Sequence, residues 1–175
     1  MKADLGYDVF KGSLWRVASP VLSVLLLEAL FDQFYIYRCV AAWRSWGETE
    51  SDIRALFGDN TELVARALKE TRDKYVGKEG LHEELSRLKQ AWPELQERIR
   101  RQIIPFGEVQ RRLQLVGAPY EPEQIGVSRA RFLEAFRKLP YMRSRYSVVD
   151  VAFRCGWMEP WLERLFGRGG IWSVA

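Results

Sequence analysis

Apolar residues recur along this chain at helical spacing, and no alternating run of strand length interrupts them. Residues 1–20 hold Gly6, Gly12 and Pro20 without a sustained period and read as a lead-in segment. From Val21 to Trp43 the chain is apolar almost all round, which predicts a helix buried on most of its faces. Ile53, Leu56 and Phe57 give a short amphipathic turn from Glu50, closed by Gly58. Asn60 or Thr61 then caps a helix carrying Leu63, Val64, Ala67, Leu68 and Tyr75, ending near Gly77. After Gly80 the stripe Leu81, Leu85 and Leu88 lies among dense polar residues, the pattern of a surface helix.

Trp92-Pro93-Glu94 reads as a fresh helix start, because a proline in the first turn lacks only an N–H that has no partner there. Its stripe is Leu95, Ile99 and Ile103, stopping at about Pro105-Phe106-Gly107. Val109, Leu113 and Val116 form the next helix, stopped by Gly117 and Pro119. Ser128 caps Arg129 to Leu139, and Arg143 to Arg154 make another helix ending at Gly156. Trp161, Leu162, Leu165 and Phe166 make a last short one, and Gly167 to Ala175 read as a loose tail. The expectation is an all-α, irregular bundle of about eight helices, with residues 21–166 as one domain.

Composition adds a core and excludes disorder. The 175 residues are 47% apolar and 13% aromatic, with seven tryptophans, enough for a single packed domain. A net charge of +4 comes from 27 basic against 23 acidic residues, a mixed surface and not a nucleic-acid footprint. Arginines still cluster, at Arg98, Arg100 and Arg101, at Arg111 and Arg112, and from Arg129 to Arg145. Cys39 and Cys155 stand in apolar surroundings at no metal-like spacing, which implies buried thiols in a reducing, cytoplasmic compartment. Val17 to Ala42 has the length of a bilayer span but holds Pro20, Glu28, Asp32 and Arg38, and a buried core helix accounts for it better.

Candidate chemistry is sparse. The only histidine, His82, sits in Leu81-His82-Glu83-Glu84-Leu85, where neighbouring residues point apart on a helix and no second histidine completes a metal set. Glu28 and Asp32 share a helix face as a solvated pair. Gly167-Arg168-Gly169-Gly170 has no helix after it to offer an N-terminus to a phosphate. No catalytic, cofactor-binding or metal-binding residue is assigned.

Several ordered motifs carry a resemblance. They are Trp92-Pro93-Glu94-Leu95, the Gly117-Ala118-Pro119 turn, Pro122-Glu123-Gln124-Ile125-Gly126-Val127-Ser128-Arg129, and Arg145-Tyr146-Ser147-Val148-Val149-Asp150. Together, across residues 48–166, the chain resembles the C-terminal helical domain of bacterial sn-glycerol-1-phosphate dehydrogenases of the iron-containing alcohol dehydrogenase superfamily. That resemblance implies an enzyme with an NAD(P)-binding half and a helical half holding zinc or nickel, reducing dihydroxyacetone phosphate to sn-glycerol 1-phosphate. A metal there acts as a Lewis acid on the ketone while the nicotinamide supplies hydride. The family's Leu-His-Gly ligand position aligns with Leu14-Trp15-Arg16, where tryptophan offers no lone pair and arginine repels a cation. The expectation is a helical half without the nucleotide-binding half, not catalytic alone, joined to a second copy or a protein partner that covers the apolar helix.

A rival likeness runs from Asp150 through Gly156-Trp157 to Phe166. It is similar to the second helix-turn-helix of AraC-type regulators, with Ser128 to Arg137 as a faint first unit. The recognition helix would be Glu159 to Leu165, whose two acidic side chains suit base edges poorly, so nucleic acid is not the expected partner.

Overall fold

The structure is a computed structural model and describes residues 33–174. The lead-in, the Trp15 and Arg16 positions, the Glu28–Asp32 pair and the first part of the apolar helix lie outside the described residues. The chain folds as α1 (Gln33–Ala42), α2 (Trp46–Phe57), α3 (Thr61–Arg72), α4 (Lys78–Gln102), α5 (Phe106–Leu115), α6 (Arg129–Lys138), α7 (Val148–Arg154) and α8 (Met158–Phe166). Short 3-10 turns at Pro122–Ile125 and Leu139–Tyr141 join them, and no strand occurs among the described residues. The all-α reading holds. No described helix is long and apolar enough to cross a membrane.

Capping residues set most starts. Ser45 and Glu48 form a reciprocal box at α2, the Asn60 side chain accepts from the Leu63 N–H at α3, and Ser128 accepts from the Arg131 N–H at α6. Some stops are glycines in the left-handed region, as at Gly126 (φ 74°) after the first 3-10 turn and Gly156 (φ 68°) after α7.

Five expectations are corrected. The described turns of α1 are not buried all round: Ile36 and Cys39 face the core, whereas Tyr37, Arg38 and Ala41 are exposed. Pro93 does not open a helix but lies inside α4, which runs unbroken for 25 residues, about 37 Å. The reason is a single stripe, Leu81, Leu85, Leu88, Trp92, Leu95 and Ile99, stepping by fours and threes along one face and packed into the core. Burial along that face outweighs the backbone bond and the steric relief that Pro93 forfeits. The helix after Gly80 is therefore a core helix with one solvated face: Leu81 and Leu85 are fully buried. Pro93→Ala restores the missing N–H and is expected to stabilise the fold by about 1–3 kcal/mol, read as a higher urea midpoint at unchanged slope.

Helix α7 starts at Val148, not Arg143, because Ser147 with Asp150 forms the capping box and makes the break. Residues 143–147 instead cross the surface as a strap, the Ser144 N–H donating to Glu70 at 2.6 Å and the Tyr146 hydroxyl to Glu84 at 2.6 Å. Nor is the end of the chain loose. Trp172 is wholly buried among Phe106, Phe132, Phe136 and Phe166, and the Trp172 and Val174 N–H groups donate to Leu165 and Phe166 carbonyls at 2.9 Å. Gly170 permits this return, since a Cβ there would collide with the Leu165 carbonyl.

Two apolar clusters result. The larger joins α1, α4, α6, α7, α8 and Trp172; the smaller holds Ile53, Phe57, Val64, Ala67 and Tyr141 between α2, α3 and the second 3-10 turn. Phe153 packs against both.

Candidate functional site

Between the two clusters lies a set of buried charges. Helix α7 is apolar except at Asp150 and Arg154, one turn apart on the same face, and both are buried. Lys74, just beyond α3, donates to Asp150 Oδ1, while Asp150 Oδ2 accepts from the Ser147 N–H at 2.8 Å and from its hydroxyl at 3.0 Å. Arg154 donates to Glu84 of α4 and to the Lys74 carbonyl, and its guanidinium lies over the Tyr146 ring at 5.0 Å. Glu84 also accepts from Tyr146. The cluster thus ties α3, α4, α7 and the strap together. Burial draws the Lys74 ammonium below its ordinary value despite the attraction of Asp150, and burial likewise lowers Arg154. Tyr146 is pushed up by burial and by Asp150.

A cavity of about 160 Å³ opens beside this cluster, walled by Trp43, Tyr75, Tyr141 and Phe153 and floored by Thr71 and Lys74. Trp43 stacks on Tyr75 (centroids 6.2 Å, 19°) and meets Phe153 edge-on (5.6 Å, 70°). The Trp43 indole N–H donates to the Val76 carbonyl at 2.7 Å, which fixes the wall. Thr71 Oγ1 is buried without a hydrogen-bond partner. Tyr141 is pushed up to about 12 by burial and by Asp52.

No known protein family, curated protein or solved structure matches this chain. Function therefore rests on the residues. His82 is exposed on α4, away from any ligand set, and among the described residues no group of three His, Cys, Asp or Glu is placed to hold a metal ion. The described residues do not fit the divalent metal that the dehydrogenase resemblance implies. They do not fit a nucleotide phosphate at Gly167–Gly170 either, because that turn closes on the chain's own Leu165 and Glu163 carbonyls.

The arginine clusters are largely paired on the surface. Arg101 meets Glu97, Arg111 and Arg112 share Glu108, and Arg129 meets Glu123, all exposed or partly so. The two arginines hold Glu108 down to about 2. On α8 the buried face is Met158, Trp161, Leu162, Leu165 and Phe166, leaving Glu159, Glu163 and Arg164 outward.

Both cysteines are free and buried, as expected. The Tyr35 hydroxyl and the Cys39 thiol (3.3 Å) donate to the Cys155 carbonyl, so α1 satisfies the C-terminus of α7. Burial raises both thiols above their ordinary 9.0 and raises Tyr35 above its own ordinary value as well. A raised folded value means stability is complete below the unfolded value and is lost as pH climbs towards the folded one. Lys74 and Arg154 work in the opposite direction, but they are two groups against two thiols and three tyrosines. Stability is expected to decline above pH 9.0, by up to about 1.4 kcal/mol per pH unit for each thiol. Cys155→Ala is expected to flatten the first part of that decline in denaturation measured at stepped pH.

Sequence reasoning missed Lys74 and Thr71 altogether, met Glu84 only beside His82 as a dismissed metal ligand, and read Asp150 only as part of family motifs. The local signal for Asp150 and Arg154 was present: two charges one turn apart inside Val148–Trp157, an otherwise apolar run.

Proposed function

We propose that this chain is a helical scaffold of the glycerol-1-phosphate dehydrogenase kind, which does not catalyse alone and acts through contact with another protein chain, a second copy of itself first. The observation that carries the reading is the buried cluster: both of its carboxylates are engaged by the chain's own donors. Asp150 serves Lys74 and the Ser147 cap, and Glu84 serves Arg154 and Tyr146, so neither is left to move a proton for a substrate. The motifs behind the resemblance do structural work in the same way. Trp92 fills the core, Gly117 and Gly126 turn the chain, Ser128 caps α6, and Ser147 with Asp150 caps α7. Adjacent Leu115 and Val116 at the end of α5 stay largely exposed, an apolar pair suited to a chain–chain contact.

The purified chain is expected to show no NADH- or NADPH-dependent reduction of dihydroxyacetone phosphate, with or without added zinc or nickel, and to scatter light as a dimer or larger species. Turnover by the chain alone, or a monomer at all concentrations, would refute it. The DNA-binding alternative is disfavoured by α8, whose outward Glu159 and Glu163 repel phosphates. Fluorescence anisotropy with duplex DNA at low salt is expected to stay flat.

A further inference from the structure

We infer that the cavity between α1, α3 and α7 is a binding site for a small aromatic carboxylate, one ring bearing one carboxyl group. This goes beyond the scaffold reading and does not depend on it. Size sets the first limit: an apolar cavity of about 150 Å³ holds one benzene ring, and this one is about 160 Å³. The walls set the second. Trp43, Tyr75, Tyr141 and Phe153 present ring faces and edges, the surface that takes a flat ring by offset or edge contact.

The floor sets the charge. Its hydrogen-bonding capacity is one-sided, because the acceptors are used and the donors are used only in part. Asp150 has both oxygens engaged. Lys74 carries three N–H bonds and gives one to Asp150, with no other acceptor for its ammonium among the described residues. Thr71, nine-tenths buried, has a hydroxyl with no partner at all. At the rim, Arg44 leans on Asp52 at 3.0 Å and stays half-exposed, so a further cation faces the entrance. A carboxylate seated on Thr71 and Lys74 supplies the acceptors both lack, and it returns counter-charge to an ammonium that burial disfavours.

Benzoate is the probe, with benzyl alcohol as the neutral match of the same ring. Titration of the full chain is followed by tryptophan fluorescence and by amide shifts in two-dimensional NMR. Saturable benzoate binding is expected, with shifts concentrated at Trp43, Thr71, Lys74 and Phe153. Benzyl alcohol is expected to bind at least ten-fold more weakly. Thr71→Val keeps the shape and removes only the unpartnered hydroxyl, so the variant folds, and it is expected to weaken benzoate about ten-fold. Absence of saturation, equal affinity for benzyl alcohol, or an unchanged affinity in Thr71→Val would each overturn the proposal.

Discussion

Replacing Asp150 with asparagine is expected to lower the unfolding free energy by about 3–5 kcal/mol at neutral pH, a large part of what a domain this size possesses. Two effects combine. The Lys74 ammonium keeps an amide oxygen but loses its counter-charge in a place where both side chains are almost wholly buried, and a buried cation without a counter-charge costs far more than the pair itself is worth. The α7 capping box loses its charge at N3, which weakens the start of that helix by about 1 kcal/mol. The pH dependence carries a signature of its own. Without Asp150, the folded-state value of Lys74 drops further below its unfolded one, so the unfolded chain binds more protons and stability rises with pH. The deficit of the variant against the parent is therefore expected to narrow towards alkaline pH, where a neutral amine tolerates burial. Lys74→Met on the same background is expected to recover part of the loss, since it removes the stranded charge and keeps the stem. Urea denaturation of the four chains of this cycle checks it. A single variant within about 1 kcal/mol of the parent would show that the cluster does not hold the helices.

Trp172→Ala is the second large effect, about 3–5 kcal/mol, from a residue that follows the last helix. Its ring is edge-on to Phe106 at 5.8 Å and to Phe132 at 4.9 Å, and closes the cluster that Phe136 and Phe166 complete. Removing it leaves a cavity among rings held from three different helices, which have little freedom to collapse. Trp172→Phe is expected to cost much less, because the indole N–H has no acceptor and its loss relieves a buried unsatisfied donor. Thermal or urea unfolding separates these cases. A change within about 0.5 kcal/mol for Trp172→Ala would mean that the tail does not belong to the core.

What was legible in the sequence was local. Helices announced themselves through period and caps: Asn60, Ser128, Gly117 and Gly156 stand where residue type placed them. What failed was decided by distant partners. Pro93 is a start signal on its own and an interior residue once Trp92 and Leu95 are joined to Leu81 and Leu85 in one stripe. Residues 143–147 have helical composition, but Glu70 and Glu84 hold them as a strap. The glycines from Gly167 suggested looseness, yet Gly170 is there so that the backbone can pass against Leu165. The candidate site was hidden for the same reason, since Lys74 and Asp150 are 76 residues apart and Glu84 and Arg154 are 70 apart. No periodicity reports a pairing over that separation.

Phe153, wedged between the larger and the smaller cluster, has a consequence for how the molecule opens. Among the described residues it is the one side chain packed against both. The α2–α3 hairpin, with its own small core, therefore forms a cooperative unit fastened to the rest by that ring and by Tyr141 and the Lys74–Asp150 pair at its edge. Amide protons in α2 and α3 are therefore expected to exchange through a partial opening that leaves α4, α6 and α8 folded, giving two levels of protection in native-state hydrogen exchange and not one. Since the aromatic-walled cavity lies on the seam between those two units, whatever fills it stabilises their union and slows the exchange of the hairpin.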